Sequence, residues 1–175
     1  GMTPFPQLDA EQESLAATLA GYDPALDQPA KRRLAEEACR VLTLISQVRE
    51  ELVYPRCVNR APTPQLDAFV IEGDLMRILI AEIMASRPSD LLYDGLLAAL
   101  KAAVRRRWAD EEAPGGLWSD LMGDPSIRAL DIEIGARLND LDAASRNGGW
   151  TPLLPLGLET LRSSLPPGAT RWTDL

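Results

Sequence analysis

The sequence predicts an all-α fold, an antiparallel up-down four-helix bundle with one additional helix and a C-terminal extension. Three observations carry that reading. Almost every long segment repeats its apolar residues at helical period, and no segment alternates apolar and polar residues as a half-buried strand would. Cap and breaker residues divide the chain into helical pieces joined by short proline- or glycine-bearing links. In the second and third pieces the apolar positions recur at alternating steps of four and three, the spacing of seams between antiparallel helices packed at shallow angles.

The first helix is expected from about Ala10 to Gly21, with Asp9 and Gln12 at the spacing of a capping box and Gly21 where helices end. The second opens at "DQPAKRR", with Asp27 or Gln28 as cap and Pro29 in the first turn, where its missing N–H costs little. It is expected to stop at "VYPRC", because Pro55 disfavours helical backbone at Tyr54. Its core stripe is Leu34, Ala38, Val41, Ile45, Val48 and Leu52. The third runs from Thr63-Pro64 to about Ser86, with Phe69, Gly73, Met76, Ile80 and Ile83 inward. The fourth starts near Ser89 or Asp90 and ends before Pro114-Gly115-Gly116. Its stripe reads Leu96, Leu100, Ala103, then Arg107 and Glu111, so charged residues sit where core is due. The fifth spans Asp124-Pro125 to "SRNGG", and one short helix, Leu156 to Ser163, is expected in the proline-rich tail.

A chain of 175 residues is most simply one folded unit, with a bundle over 2–123 and an additional helix and extension over 124–175 that packs on the bundle or on a second subunit. Net charge is −8, from 18 basic and 26 acidic residues, which disfavours binding to nucleic-acid phosphates. No apolar run approaches the ~20 residues of a membrane span, and no basic apolar leader follows Gly1-Met2, which reads as a tag remnant; a cytoplasmic location is expected. Arg105-Arg106-Arg107 can hold one anion, although three arginines on one turn are more often a solvated face. Cys39 and Cys57 would lie roughly 27 Å apart along a continuous helix, too far for a disulfide. There is no histidine, which removes imidazole from both catalysis and metal binding, and no GxSxG, P-loop, GxGxxG or CxxC pattern.

The segment "DPALDQPAKRRLAEEACRVLTLISQVREELVYPRC" resembles the second-helix region of hemerythrin-like (HHE) cation-binding domains, including the Tyr-Pro ending. "FVIEGDLMRILIAEI" is similar to that family's third helix. "LKAAVRRRWADEE", followed by "LWSDL", is similar to its fourth, so the resemblance covers roughly Asp9 to Leu121. It implies a bundle that would bind non-haem di-iron through histidines and bridging carboxylates. Carried over position by position, the first-helix histidine falls at Gln12. The second-helix histidine falls at Ile45 and its bridging carboxylate at Arg49. Gly73 stands for the third-helix histidine, and Arg77 lies where some members have another. Arg107 replaces the fourth-helix histidine, whereas Glu111 and Glu112 keep the carboxylate chemistry. The "APGG" loop is longer than the family's usual link.

With Ile45, Gly73 and arginines at those positions, a di-iron centre has too few ligands. The expectation is therefore a non-catalytic binding, regulatory or structural module without a cofactor. In it Arg49 and Arg107 form a buried ion-pair network with Glu111, guanidinium charge standing in for metal charge. The competing reading turns both arginines outward, their stems covering the core edge. A second alternative keeps non-haem iron or another divalent metal on retained carboxylates. Glu50, Glu51, Asp74, Glu111 and Glu112 could assemble an oxygen-only Mg or Ca site, since hard cations accept oxygen ligands, although heptad phase turns Glu50 and Glu51 mostly towards solvent. A third is a small-ligand sensor with a pocket at Gly73; against it stands close helix packing, with Ile45 or an arginine stem filling the space. Trp108 and Trp118 are expected at the bundle end. Trp150 and Trp172 lie in a tail that either caps the bundle or forms a homodimer arm; the sequence specifies no protein partner.

Overall fold

The computed structural model describes residues 3–57, 63–119 and 121–153, and among them every regular element is helical. The order is α1 (Pro6–Gly21), α2 (Gln28–Val48), a π-helical turn (Arg49–Val53), α3 (Tyr54–Cys57), α4 (Thr63–Ala85), α5 (Tyr93–Glu112) and α6 (Ile127–Gly148). The expected short helix Leu156 to Ser163, Trp172 and the rest of the extension beyond 153 lie outside the described residues. None of the described helices is long and apolar enough to cross a membrane.

Helix α1 starts earlier than its polar residues suggest. Pro6 supplies a first-turn φ, and buried Phe5 holds the extended position before it. Asp9 therefore lies inside the helix and caps nothing there; its carboxylate accepts from the Thr3 N–H at 2.7 Å, while the Thr3 hydroxyl accepts from the Phe5 N–H at 3.0 Å. At α2 the expected cap is present, with Asp27 accepting from the Ala30 N–H at 2.8 Å.

Pro55 does not stop the second helix. In a regular α-helix its ring would meet the Glu51 carbonyl. The chain widens instead into the π-turn, closed by the Tyr54 N–H on the Arg49 carbonyl, and continues as α3. Helix α2 also departs from a single seam. Every residue from Ala38 to Ile45 is buried, because α1, α4 and α6 all pack on α2.

Helix α4 buries Phe69, Met76, Ile80 and Ile83 and packs on α2 and α5. Pro88 to Leu92 stay in turns rather than opening α5, since the Arg87 N–H donates to the Asp90 carboxylate at 2.8 Å and the Tyr93 N–H to the Asp90 carbonyl at 3.1 Å. Inward residues of α5 are Tyr93, Leu97, Leu100, Val104, Arg107 and Glu111, a seam shifted by one residue from Leu96 and Ala103 at its apolar end. Helix α6 adds Leu130, Ile134 and Leu138 to the same core, and Trp150 packs on it.

Candidate functional site

The charged end of the α5 seam is formed locally by helix phase. Arg107 and Glu111 are four residues apart and share one face, whereas Arg105 and Arg106 are exposed. Glu111 is 1% exposed and Arg107 5%, so a carboxylate and a guanidinium lie inside the fold. Across from them, the π-turn directs Arg49 inward, at 3% exposure. The Arg49 Nη2 donates to Glu111 Oε2, and the Arg107 Nε stands 4.0 Å from that same oxygen. Three residues assigned by sequence to degenerate ligand positions thus meet around one carboxylate.

Aromatic rings close around the two cations. The Arg49 Cζ lies 5.3 Å from the centre of the Trp118 ring and 5.8 Å from that of Tyr54. The Arg107 Cζ lies 5.8 Å from Tyr54 and 5.9 Å from Phe69, and its Nη2 donates to the Tyr54 hydroxyl. Such contacts favour the charged form of a guanidinium that has lost its water. Burial works against it: it pulls the Arg107 guanidinium down to about 9, and the charge of Arg49 acts in the same direction. Burial likewise lowers Arg49. Both groups remain protonated at neutral pH.

Gly73 is explained by this arrangement. A Cβ built there would stand 3.1 Å from the Arg107 Nη1, so the missing side chain is the space that the guanidinium head occupies. Ile45, 1% exposed, is ordinary core beside it. Arg77 is buried as well, but it serves another pair: its Nη2 donates to the Glu50 Oε1, and its Nη1 lies 3.4 Å from the Asp74 Oδ1. Gln12 is buried with its Oε1 unpaired, and among the described residues no hydrogen bond joins it to the Arg49–Glu111 cluster.

The carboxylates of the oxygen-only metal alternative do not assemble. Glu111 is on Arg49, Glu50 and Asp74 are on Arg77, and Glu51 faces outward onto Arg137 at 2.8 Å. Among the described residues no three histidine, cysteine, aspartate or glutamate side chains converge as a metal would require. The residues at the positions that the resemblance assigns to ligands therefore do not fit a di-iron centre: one buried carboxylate is present among them, already held by a cation.

Four positioning residues were not singled out for the site from sequence. Tyr54 reads as a helix end, Phe69 as plain core, and Trp118 as packing at the end of the bundle. Gly116 reads as loop. Its Cβ would come 2.5 Å from the carbonyls of Asp110 and Glu111, so only glycine lets the chain fold back under the α5 terminus and deliver Leu117 and Trp118 to the core. Buried Phe5 then meets Trp118 edge-on at 5.9 Å, so the start of α1 backs the ring that covers Arg49.

Beside Arg107 a cleft of about 220 Å³ opens between α4, α5 and the π-turn. A second space of about 20 Å³, whose lining includes Ile45, Arg49, Gly73 and Arg107, is water-sized. No protein family, curated protein or solved structure matches this chain.

Proposed function

We propose that this chain is a hemerythrin-like four-helix bundle in which guanidinium groups occupy the place of a metal centre, and that it acts as a metal-free, non-catalytic binding module. The observation that carries the reading is the convergence of Arg49, Arg107 and Glu111, three former ligand positions, on one buried carboxylate oxygen. In a di-metal site the bridging carboxylates are neutralised by metal. Here fixed cations neutralise Glu111, and Arg107 fills the space left at Gly73. The chain has no histidine, so the site has no imidazole.

The binding part of the proposal rests on the cleft that reaches this cluster from the surface, lined by the buried cations Arg107 and Arg77, the carboxylates Glu50 and Asp74, and the apolar Phe69 and Val70. Elemental analysis of the purified chain, repeated after incubation with ferrous iron and with manganese and removal of the excess, tests the metal-free part. Less than about 0.1 metal per chain is expected, because one carboxylate paired with arginine is a poor site. One or two tightly held metal ions per chain, lost on Glu111→Gln, would overturn it.

A further inference from the structure

Of the buried cations among the described residues, Arg107 is the one whose neutralisation is least complete. Arg49 has the Glu111 carboxylate in contact, and Arg77 has Glu50 and Asp74. Arg107 has a carboxylate oxygen only at 4.0 Å, from its Nε, and that nitrogen makes no hydrogen bond. Among the described residues its one hydrogen bond goes to a neutral phenol, Tyr54. A guanidinium 5% exposed, without a hydrogen-bonded anion, is costly to hold in a folded core.

The cleft leads to this group. Its walls include Tyr54, Phe69, Val70 and Gly73, and because Gly73 has no side chain the floor is the Arg107 head itself. We infer that the cleft binds a small monocarboxylate bearing an apolar or aromatic group, its carboxylate on the Arg107 guanidinium and its apolar end against Phe69 and Val70. The guanidinium fork matches a carboxylate in plane and spacing, so one ligand group can take two donors. Glu50, Asp74 and Arg77 also line the cleft, and the two carboxylates outnumber the one guanidinium that pairs with them, which leaves net negative charge near the ligand. That disfavours a dianion such as phosphate more than a monoanion. At about 220 Å³ the space is below the ~300–1,000 Å³ of pockets that take drug-sized ligands, which limits the guest to roughly a benzoate. Burial and the charge of Arg49 destabilise the charged form of Arg107, and Glu50 offsets this only in part, so an added anion there meets an incompletely neutralised cation. The inference rests on the metal-free reading, since a metal on Glu111 would rearrange the arginines.

The test is calorimetric titration of the full chain with benzoate, benzamide and inorganic phosphate. Two variants accompany it at Val70, which is 47% exposed and outside the core, so its replacement leaves the packing alone. Val70→Trp fills the cleft, and Val70→Glu adds a third carboxylate beside it. Benzoate is expected to bind at about millimolar Kd or tighter, with benzamide and phosphate at least about ten-fold weaker. Both variants should weaken benzoate by at least about ten-fold, either one sufficing if the other fails to fold. Equal binding of benzoate and benzamide, phosphate as strong as benzoate, full affinity in the variants, or no benzoate binding up to about 20 mM would each overturn the inference. A chain that is metal-free and ignores benzoate ends this inference alone, whereas tightly held metal ends the reading beneath it.

Discussion

Replacing Glu111 by glutamine removes one negative charge while keeping the side chain's shape and one acceptor oxygen. The carboxylate is 1% exposed, and the two guanidiniums around it are 3% and 5% exposed, so water cannot take its place. At 4.0 Å and an effective dielectric constant of ~20, unit charges interact by about 4 kcal/mol, and Arg49 is closer to the carboxylate than Arg107 is. The glutamine oxygen keeps part of this as hydrogen bonding to Arg49. Two buried cations remain beside each other without an anion, the situation that costs about 3–5 kcal/mol when one partner of a buried pair is lost. Urea unfolding should show a loss of that size, and thermal unfolding a fall of about 6–20 °C for a chain of this length. A cycle with Arg49→Met should give a coupling of about 1.5–3 kcal/mol, the double variant losing less than the sum of the single ones. A loss below about 1 kcal/mol for Glu111→Gln would match a solvated surface pair and refute the buried network.

Gly73→Ala should be unfavourable despite the helix propensity of alanine. In a helix interior that exchange gains about 1 kcal/mol, but here the new methyl meets an Arg107 head boxed in by the Tyr54 and Phe69 rings. Denaturant titration should show the gain only once Arg107→Met has vacated the space; a stabilised Gly73→Ala in the otherwise unchanged chain counts against the packing described. Acid should weaken the fold partly through Arg40, which donates to Asp142 and Glu37 at 2.7 and 2.8 Å and holds both carboxyls below their ordinary 3.8 and 4.5. Because the folded values are the lower ones, the unfolded chain binds more protons in that range. This stability is therefore complete above about pH 4.5 and is lost as pH falls through the folded values. Glu11, raised by burial and by Asp142, works in the opposite sense. Melting curves between about pH 3 and 6 should show a shallower acid limb in Arg40→Met, and an unchanged limb would remove Arg40 from that role. The thiols should be silent in the folded chain, since Cys39 and Cys57 are buried and burial pushes Cys39 up to about 12. Thiol-reactive dye should label both only as the chain unfolds; rapid labelling of native protein would contradict their burial.

Local periodicity determined a good deal of this molecule on its own. The helical identity of α1, α2, α4, α5 and α6 was legible because each carries its apolar residues at helical spacing, and the Asp27 cap and the first-turn Pro29 are short-range chemistry. The anomaly of Arg107 and Glu111 in the α5 seam was legible for the same reason, as was the missing side chain at Gly73. Other features depend on what another segment does. Asp9 looks like a cap in isolation, yet buried Phe5 moves the helix start past it. Pro55 looks like a stop, yet the π-turn absorbs its ring and turns Arg49 inward. Gly116 looks like loop until the chain folds back over the α5 carbonyls.

What the sequence by itself determined is that Gly73, Arg107 and Glu111 fall in core stripes where they are out of place; Arg49 and Arg77 entered only through the hemerythrin-like resemblance. Tertiary structure alone decided how they are matched, giving Arg49 to Glu111, Arg77 to Glu50 and Asp74, and Arg107 to Tyr54 and the hollow at Gly73. The physical reason is that spacing along one helix sets only the face on which a side chain lies. The partner of a buried charge is chosen by distance and desolvation between helices, and those quantities exist only once α2, α4 and α5 have packed.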